Sequence, residues 1–449
     1  MDTKSVKELI QMCKDKNISG YSGKKKNEII KLLEPTLINE PITIPPTIIP
    51  TINQSIITNK LKFIDLFCGI GGFHQALNQL NGECVFACDI DAKCRELYKK
   101  NYGITPHPDI TKIVVEEMPN FDILCGGFPC QSFSNSGKKG GFNDKRGTLF
   151  EHILRIAVHK SPKFMFLENV KHIKKIDKGA VFTHILKRIN ESGYIINEDL
   201  VFELSPHQLG VPQQRERVIF VCIRSDIYDS TKQIVINPPK TKINLSNFFE
   251  TNVDKKYNIS EETTQLFEAW DKMIQTFETG ETISPTILCN EFNKTYTTNE
   301  FKQLPQWKQD YITKNKRIYE KYKPIWDEWY TTYAELLQKK EIHGKLEWQT
   351  GPKKQNDSIF NYFIQMRQSG IRVKKAQYFP TLVAIVQTPI YAKERRYITP
   401  RECARLQSFP DDFIIHENDH TAYKQFGNAV NVKVVHYIMN ETLKVYSMV

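Results

Sequence analysis

The sequence lacks both a long apolar run and a cysteine framework. Its first residues, MDTKSVKELI, are charged and have no apolar core of signal-peptide length, and the apolar stretch at residues 42–52 is interrupted by prolines. The ten cysteines form no CxxC pair, and several lie in apolar runs, which favours buried reduced thiols over disulfides or zinc. We therefore expect an intracellular protein of the cytoplasm, the nucleoid or a viral replication compartment, not secreted, with no membrane partner and no bound metal.

Length and composition favour two or three folded domains and a polyanionic partner. Of the 449 residues, 40% are hydrophobic and 25% charged, which is enough to bury a large core. The formal net charge of +11 favours nucleic acid as that partner.

Residues 1–35 have the pattern of a small helical module. Residues 6–13 and 26–33 carry helical apolar spacing, with a turn-like stretch at residues 17–20 and a lysine run at residues 24–26 between them. The pattern resembles a SAP domain, a two-helix DNA-binding element; the alternative is a helical hairpin whose lysines are only solvated. Residues 36–58 are rich in proline and predict a semi-stiff linker.

Between residue 61 and about residue 225, short apolar runs alternate with helical patterns. The runs are residues 63–67, 84–88, 121–125, 164–167, 194–202 and 218–223. This alternation predicts an α/β fold with a doubly wound sheet, whose ligands collect at the carboxyl ends of the strands. Polar or turn-forming residues follow three of the runs, at residues 89–91, 126–130 and 168–169. We therefore expect an active site at that edge of the sheet.

The first of these runs leads into a glycine-rich turn and then a helix. Gly69, Gly71 and Gly72 follow residues 63–67, and helical spacing follows the glycines. Such a turn leaves backbone N–H groups at the positive end of a helix with no Cβ atoms in the way of a ligand. The pattern predicts a nucleotide-type cofactor site; the alternative is that the glycines form only a tight turn between a strand and a helix.

The alternation stops between about residue 237 and residue 380. All five tryptophans lie in this region, and aromatic residues from 307 to 333 recur at helical spacing, which favours core packing over base stacking. The basic segment at residues 367–375 predicts a loop that lies against phosphates or base edges. From residue 399 the α/β character returns and ends in an apolar-patterned helix at residues 430–445.

An ordered set of motifs from residue 61 to the end of the chain resembles the cytosine-C5 DNA methyltransferases of the bacterial restriction-modification type. The motifs are DLFCGIGG (residues 65–72), GFPCQSFS (127–134), ENV (168–170), QQRER (213–217), RECARLQSFP (401–410) and QFGNAV (425–430). The resemblance implies a Rossmann-like catalytic domain at residues 59–236, completed by residues 399–449, and a target-recognition domain at residues 237–398. It also implies S-adenosylmethionine as cofactor, double-stranded DNA as substrate, a monomer, and a cognate restriction endonuclease as a candidate partner.

The resemblance also implies which residues carry the chemistry. In this family a cysteine thiolate adds to C6 of cytosine, which lets C5 accept the methyl group, and the thiolate leaves as the C5 proton is removed. The matching thiol is Cys130. Glu168 matches the glutamate that holds N3 and the exocyclic amine of cytosine, and Asn169 is expected to orient the loop. Arg215 is expected to contact the flipped base or its phosphate, and Arg217 to brace the site.

The remaining expected site residues fall into two sets. Those implied for the cofactor are Phe67, Gly69, Gly71, Gly72, Asp89, Ile90, Asp109, Ile110, Pro129 and Asn428. Those expected to contact DNA are Gln131, Ser132, Ser134, Lys138, Lys139, Arg146, Arg367, Arg372, Lys374 and Lys375. Because a stacked base hides C5 and C6, the target must be flipped out, and the basic glycine-rich residues 134–146 are a candidate lid.

Three other functions compete with DNA methylation. The tRNA-modifying branch of the same family would carry nearly the same motifs, but the chain has no Cys-Phe-Thr tripeptide of the kind that branch carries. A catalytically silent DNA-binding protein would not need Cys130, Glu168 and Arg215 together. A dinucleotide oxidoreductase has no use for the Pro-Cys-Gln or Glu-Asn-Val motifs.

Overall fold

A computed structural model describes most of the chain in two compact units, residues 1–58 and 59–449. The described residues are 5–15, 25–27, 60–129, 148–283, 286–375, 377–383, 385 and 387–449. In the first unit, helix α1 (Val6–Asp15) begins at a reciprocal capping pair, because the Ser5 backbone donates to the Glu8 carboxylate and the Glu8 backbone to the Ser5 hydroxyl. The expected linker and most of the expected second helix lie outside the described residues, so the SAP-like module stays a prediction.

The second unit is built on a seven-stranded sheet. Its strands are β1 (Leu61–Leu66), β2 (Gly82–Cys88), β3 (Ile123–Gly127), β4 (Phe164–Val170), β5 (Tyr194–Ile195), β6 (Val201–Leu204) and β7 (Arg217–Arg224). The order is β2-β1-β3-β4-β7-β5, with β6 also paired to β7. β1 to β4 are parallel, whereas β7 is antiparallel to β4, β5 and β6. The predicted α/β fold is confirmed. The order in which successive strands are added reverses between β1 and β3, which is where ligands bind in such folds.

One expected strand is two. Residues 194–202 form β5 and β6 because a 3₁₀ turn at Glu198–Leu200 interrupts them, and the Asn197 side chain accepts the Leu200 N–H at its start.

Helices cover this sheet and the chain returns to it at its end. They are α2 (Gly72–Asn78), α3 (Ala92–Tyr102), α4 (Thr148–Lys160), α5 (Ala180–Glu191), α9 (Pro400–Leu406), α10 (Asp419–Asn428) and α11 (Val432–Val445). α11 packs against α2, and the C-terminal helices share one apolar core with the sheet. The last segment therefore completes the structure that the first strands begin.

Residues 237–398 include a second, six-stranded sheet with its own apolar core. Its strands are β8 (Ile287–Leu288), β9 (Lys345–Gln349), β10 (Phe363–Arg367), β11 (Gly370–Lys374), β12 (Ile390–Tyr391) and β13 (Arg396–Tyr397), in the order β13-β12-β10-β11-β9-β8. Its helices are α6 (Glu261–Thr276), α7 (Thr298–Gln303) and α8 (Gln306–Gln338). Four of the five tryptophans are buried in this core, as expected, whereas Trp307 at the start of α8 is 59% exposed.

The basic segment at residues 367–375 is not the loop that was expected. It lies mostly in the antiparallel hairpin of β10 and β11, in which Arg367 pairs with Gly370 and Gln365 with Arg372. The reason is a period-two pattern: Ile364, Ile371 and Val373 are fully buried on one face of the hairpin. The cationic side chains therefore project from a sheet and not from an irregular loop.

Candidate functional site

A cavity of about 410 Å³ lies where β1, β2 and β3 end, at the reversal point of the large sheet. Nine of the residues expected around a cofactor line it, namely Phe67, Gly69, Gly72, Asp89, Ile90, Asp109, Ile110, Pro129 and Asn428. Glu168 lines the same cavity. Residues that are more than 300 positions apart in the sequence therefore meet at one site.

The turn after β1 forms the floor of this cavity. Phe67 and Gly69 have positive φ angles of 55° and 53°, which for a bulky residue such as Phe67 is an uncommon backbone conformation. A Cβ atom on Gly72 would lie 2.5 Å from the Val430 carbonyl oxygen, so only glycine allows α2 to approach the C-terminal segment this closely.

Gly71 is not among the residues that line the cavity, which corrects its expected role. It precedes α2 with a φ of 89°, and a Cβ atom there would lie 2.4 Å from the Tyr102 ring. Gly71 therefore serves the turn and its packing against α3.

Asp89 is held in place by two backbone donors. Its carboxylate accepts the Gly69 N–H at 2.7 Å and the Asp91 N–H at 2.8 Å. Burial, with a smaller contribution from the nearby Asp91 charge, raises the pKa of Asp89. Asp91 caps α3 by accepting from Lys93 and Cys94. A fixed carboxylate at the end of the second strand has the geometry to accept bonds from a ribose diol.

Two further segments contribute to the walls. Asp109 accepts from the Thr111 backbone and hydroxyl, and this bonding lowers the pKa of Asp109, while Ile110 beside it is buried. Asn428 and Gln425 line the wall formed by α10. Gln425 was not among the expected site residues, although it begins the QFGNAV motif.

The glycine floor, the carboxylates of Asp89 and Asp109 and the apolar wall suit a cofactor with a ribose diol and an aromatic base. Apolar lining comes from Phe67, Ile110 and other side chains, and the carboxylates of Asp89 and Asp109 are among the polar acceptors. The donor and acceptor set therefore fits the nucleotide-type cofactor that the sequence predicts.

Glu168, near the end of β4, forms an ion pair with Arg217 at the start of β7. Arg217 Nε lies 2.8 Å from Glu168 Oε1, and the two side chains are only 17% and 13% exposed. The antiparallel pairing of β4 and β7 brings these strand ends together. Asn169 is buried and donates from Nδ2 to the Phe128 carbonyl oxygen at 3.0 Å, which ties β4 to the residues before Cys130.

Arg215 does not have the contact that was expected of it. Its guanidinium is 4% exposed and donates from Nη1 to the Leu382 carbonyl and from Nη2 to the Gly427 and Ala429 carbonyls. Burial, with repulsion from Arg217, lowers the pKa of Arg215 to about 9, so the group stays charged at neutral pH. A guanidinium engaged in this way is not positioned to contact a base or a phosphate.

Several expected residues lie outside the described residues. They are Cys130, Gln131, Ser132, Ser134, Lys138, Lys139 and Arg146, together with the remainder of the candidate lid. Pro129, the last residue described before them, lines the cavity.

The expected DNA-contacting residues of the hairpin form a cationic group. Burial and repulsion from Arg372 and Arg367 lower the pKa of Lys374, and burial and repulsion from Arg372 lower the pKa of Arg367. Arg372 donates from Nε to Glu347 at 2.6 Å, and Lys375 is exposed just beyond β11.

The nine cysteines in the described ranges are free thiols, and no cluster of three or more His, Cys, Asp or Glu side chains there could hold a metal. In the same part of the chain, no helix has both the length and the apolar character needed to cross a bilayer.

Comparison with known proteins agrees with this geometry. The family described as C-5 cytosine-specific DNA methylase matches residues 61–444. The type II methyltransferase M1.ScrFI of Lactococcus lactis subsp. cremoris is 34% identical over 405 residues, covering 89% of this chain and 82% of the relative. M.HhaI of Haemophilus parahaemolyticus is 30% identical over 378 residues, covering 84% and 93%. A DNMT2 mutant from Spodoptera frugiperda has the same fold, with a TM-score of 0.51 at 20% identity over 85% of this chain and 99% of that one.

Proposed function

The chain belongs to the C-5 cytosine-specific DNA methylases, and on that basis we propose that it methylates a flipped cytosine within a specific duplex sequence, as the modification enzyme of a restriction-modification system. It is a DNA cytosine-5-methyltransferase that uses S-adenosylmethionine. The observation that carries the proposal is the shared cavity, in which Glu168 lies beside the carboxylates and glycines suited to the cofactor.

In the proposed site, each wall of the cavity holds one part of the cofactor. Asp89 would accept hydrogen bonds from the ribose hydroxyls, Asp109 and Ile110 would contact the adenine, and Phe67 and Gly69 would contact the methionine part. Asn428 closes the cavity from the C-terminal segment. When bound, S-adenosylmethionine supplies the electrophilic methyl group that cytosine C5 accepts.

The chain's own residues would drive the remaining chemistry. The Cys130 thiolate forms a bond to C6, and the electron pair of the C5–C6 double bond becomes available at C5. Glu168, oriented by Arg217, passes a proton from solvent to N3 as C6 is attacked, takes that proton back when the ring is restored, and takes part in holding the exocyclic amine. Loss of the C5 proton to a base then restores the double bond and expels the thiolate from C6.

We propose that residues 237–398 select the DNA sequence that is methylated. A stacked duplex hides C5 and C6, so the reaction requires a flipped base. Support comes from the cationic group of Arg367, Arg372, Lys374 and Lys375, which projects from a sheet outside the common α/β core. Phosphate contacts by such residues position the duplex, and base contacts specify the sequence.

The relatives suggest the biological setting. M1.ScrFI and M.HhaI are both named type II methyltransferases, which supports a partner endonuclease that recognises the same DNA site. We place the protein inside the cell as a monomer, with residues 1–35 as an auxiliary DNA-binding module. The tRNA-modifying alternative is less favoured, because the matching family is one of DNA methylases.

The proposal is tested by expressing the chain in cells that lack cytosine methylation and sequencing their DNA after bisulfite treatment. We expect methylcytosine at one short sequence with the wild type and none with Cys130→Ser. Cys84→Ser, which changes a partly buried thiol of β2, is the matched control and should keep the activity. Methylation by Cys130→Ser, or none by the wild type, would contradict the proposal.

The covalent step has its own test. Duplex DNA with 5-fluorocytosine at the mapped site lacks the removable C5 proton, so the wild type should remain covalently bound to it. The adduct should be absent with Cys130→Ser, while that variant's affinity for the cofactor should be little changed. An adduct with Cys130→Ser would identify a different nucleophile.

A further inference from the structure

Arg215 lies between two parts of the chain that the proposed function assigns to different ligands. Nη2 donates to the Gly427 oxygen at 2.8 Å and to the Ala429 oxygen at 3.2 Å. These carbonyls flank Asn428, which lines the cofactor cavity. The guanidinium is therefore hydrogen-bonded to the cavity wall on both sides of Asn428.

The other terminal nitrogen of the guanidinium, Nη1, is hydrogen-bonded to residues 379–382, which we call the crossing segment. Arg215 Nη1 donates to the Leu382 oxygen at 2.6 Å. Two more bonds join the crossing segment to the chain before Arg215: Phe379 N–H donates to the Pro212 oxygen at 2.7 Å, and the Thr381 hydroxyl to the Gln214 oxygen at 2.6 Å. The crossing segment is thus hydrogen-bonded to Arg215 and to the residues before it at three points.

The crossing segment is continuous with the region proposed to bind DNA. It follows β11, and with it the cationic group of the hairpin, by only a few residues. Val383 and Ile385, directly after it, are 40% and 71% exposed, so the chain next to the Arg215 contact is accessible to a duplex. A shift of this chain on DNA binding would reach the Leu382 carbonyl.

Stability alone does not account for a charged group at this position. All hydrogen bonds that Arg215 makes to described residues from its Nη atoms go to carbonyls, and its buried Nε has no partner among the described residues. The nearby Glu168 carboxylate is paired with Arg217. Burying a guanidinium without a carboxylate partner costs free energy, whereas its rigid planar fork fixes three carbonyls relative to one another.

We propose that Arg215 is a positioning residue that couples DNA bound at the crossing segment to cofactor bound at the Asn428 wall. This inference rests on the proposed function. Because coupling between two binding events is reciprocal, each ligand must raise the affinity for the other by the same factor. We expect a factor of about five or more, at the lower end of typical coupling between sites.

The test measures the dissociation constant of S-adenosylhomocysteine for the full chain by calorimetry, alone and with a saturating duplex that carries the site mapped by bisulfite sequencing. The ratio of the two constants is the coupling. It should be about five or more for the wild type and near one for Arg215→Lys, which keeps the charge but cannot bond three carbonyls. Duplex affinity with and without S-adenosylhomocysteine should give the same ratios.

Two further variants separate coupling from a structural effect. Thr381→Val removes one bond from the crossing segment and leaves the Arg215 contacts in place, so its ratio should fall between those of the wild type and Arg215→Lys. Arg224→Lys, at the opposite end of β7 where it pairs with Asp226, should keep the wild-type ratio. If Arg215→Lys does not fold, Thr381→Val decides the question.

Two results would overturn the inference. One is a wild-type ratio near one, and the other is an unchanged ratio in Arg215→Lys or, where that variant is unfolded, in Thr381→Val. A purely structural role for Arg215 would weaken both affinities and leave the ratio as it was. Failure of the proposed function is distinct from both, since it would appear as an absence of methylcytosine in cells that express the wild type.

Discussion

The large and small sheets present their polar residues in different ways. In the large sheet the parallel strands β1 to β4 end at one edge, and Asp89, Pro129 and Glu168 from three different strand ends line a single cavity. In the small sheet all strand pairs but one are antiparallel, so successive strand ends alternate between opposite edges. A parallel sheet therefore gathers distant motifs into one site, and an antiparallel sheet spreads them.

Ion pairs on the surface and beside the cavity differ in burial. In residues 237–398, which we call the small unit, some lysines pair with carboxylates on exposed faces, as in Lys323–Asp327 and Lys339–Glu262, and such pairs contribute little to stability. In residues 59–236 and 399–449, which we call the large unit, the Glu168–Arg217 pair is mostly buried beside the cavity. Removing one partner of the Glu168–Arg217 pair should therefore cost far more free energy than removing one partner of a surface pair.

The largest effect among the pairs is expected for Arg217→Met. The change leaves the Glu168 carboxylate without its ion pair and its fixed orientation, so kcat should fall by about 100-fold or more, as for loss of a general acid. The dissociation constant of S-adenosylhomocysteine should change little, because Arg217 is not among the residues that line the cavity. Steady-state methylation of the mapped duplex at saturating S-adenosylmethionine and DNA measures the first quantity, and calorimetry measures the second.

Arg224→Met is the matched control for this prediction. It removes an arginine from the other end of the same strand, where the partner Asp226 is 60% exposed. Its kcat should stay near the wild-type value. Equal losses of kcat in the two variants would mean that β7 is merely destabilised and that the buried pair has no special role.

The sequence predicted the large sheet better than the site's internal bonding. Motifs such as DLFCGIGG end at the cavity because parallel strands bring their ends to one edge. Arg215 and Arg217 are only two residues apart, so the sequence does not show which of them pairs with Glu168. The pairing of β7 with β4 places Arg217 beside Glu168, whereas Arg215 donates to the Leu382 carbonyl.

The small sheet was harder to predict for a related reason. The hairpin of β10 and β11 carries its period-two pattern over only five residues a strand, and the density of basic residues there suggested a loop instead. The sequence pattern of a strand, a glycine turn and a helix is the same whether a given glycine faces a ligand or packs on a neighbouring side chain. Gly71 was therefore assigned to the cofactor, although it packs on Tyr102.

Exchange of the small unit tests whether target choice resides there. A chimera that takes residues 237–398 from a relative of known target site should methylate the donor's site, because the common α/β core supplies only the chemistry. The junction must keep the hydrogen bond from the Phe379 N–H to the Pro212 oxygen and the buried Arg396–Glu402 ion pair, which join residues 237–398 to the rest of the chain. Bisulfite sequencing identifies the methylated site.

A second exchange provides the control. Replacing only helix α5, on the large core, by the donor's sequence should leave the original site in use. An active 237–398 chimera that still methylates the original site would show that target choice lies elsewhere in the chain.

Acid should weaken the large unit before the small one. His74 is buried, donates to or accepts from the Tyr98 hydroxyl at 2.7 Å and stacks on Tyr102, and burial lowers its pKa from 6.5 to about 4. Because unfolded chains bind a proton at pH 5 that the folded state excludes, stability falls as pH drops from 6.5 towards 4, by about 2 kcal/mol between pH 7.5 and 5.

The surface carboxylates of the small unit respond at lower pH. Bonding to Lys339 lowers the pKa of Glu262, and bonding to Lys323 lowers that of Asp327. The two carboxylates therefore contribute to folding stability at any pH above the usual carboxyl pKa, and this contribution is lost only as the pH falls below that value. Tryptophan emission reports this unit alone, since all five tryptophans lie in it. Hydrogen exchange in peptides from residues 61–102 reports the large unit in the same urea titrations.

The His74→Gln variant should show a smaller loss of large-unit stability between pH 7.5 and 5, by about 2 kcal/mol. Asp65, whose pKa burial raises, contributes with the opposite sign but is present in both proteins, so the difference isolates His74. His172→Gln changes an exposed histidine and should keep the wild-type dependence. An identical pH dependence in His74→Gln and the wild type would contradict the assignment.

The smallest effect is expected from residues 1–35. If residues 1–35 add non-specific affinity through Lys24, Lys25 and Lys26, a chain starting at Asn59 should keep its turnover and its target sequence, because the family match begins only at residue 61. It should lose affinity for unrelated duplex DNA and part of the salt dependence, about one unit in the slope of log affinity against log salt for each lost phosphate contact. A tethered module acts in this way by raising the local concentration of DNA near the catalytic domain.

Replacing the three lysines by glutamine in the full chain should reproduce the change in slope without removing the module. Equal affinities and equal slopes for the full, shortened and substituted chains would leave these lysines as an ordinary solvated surface.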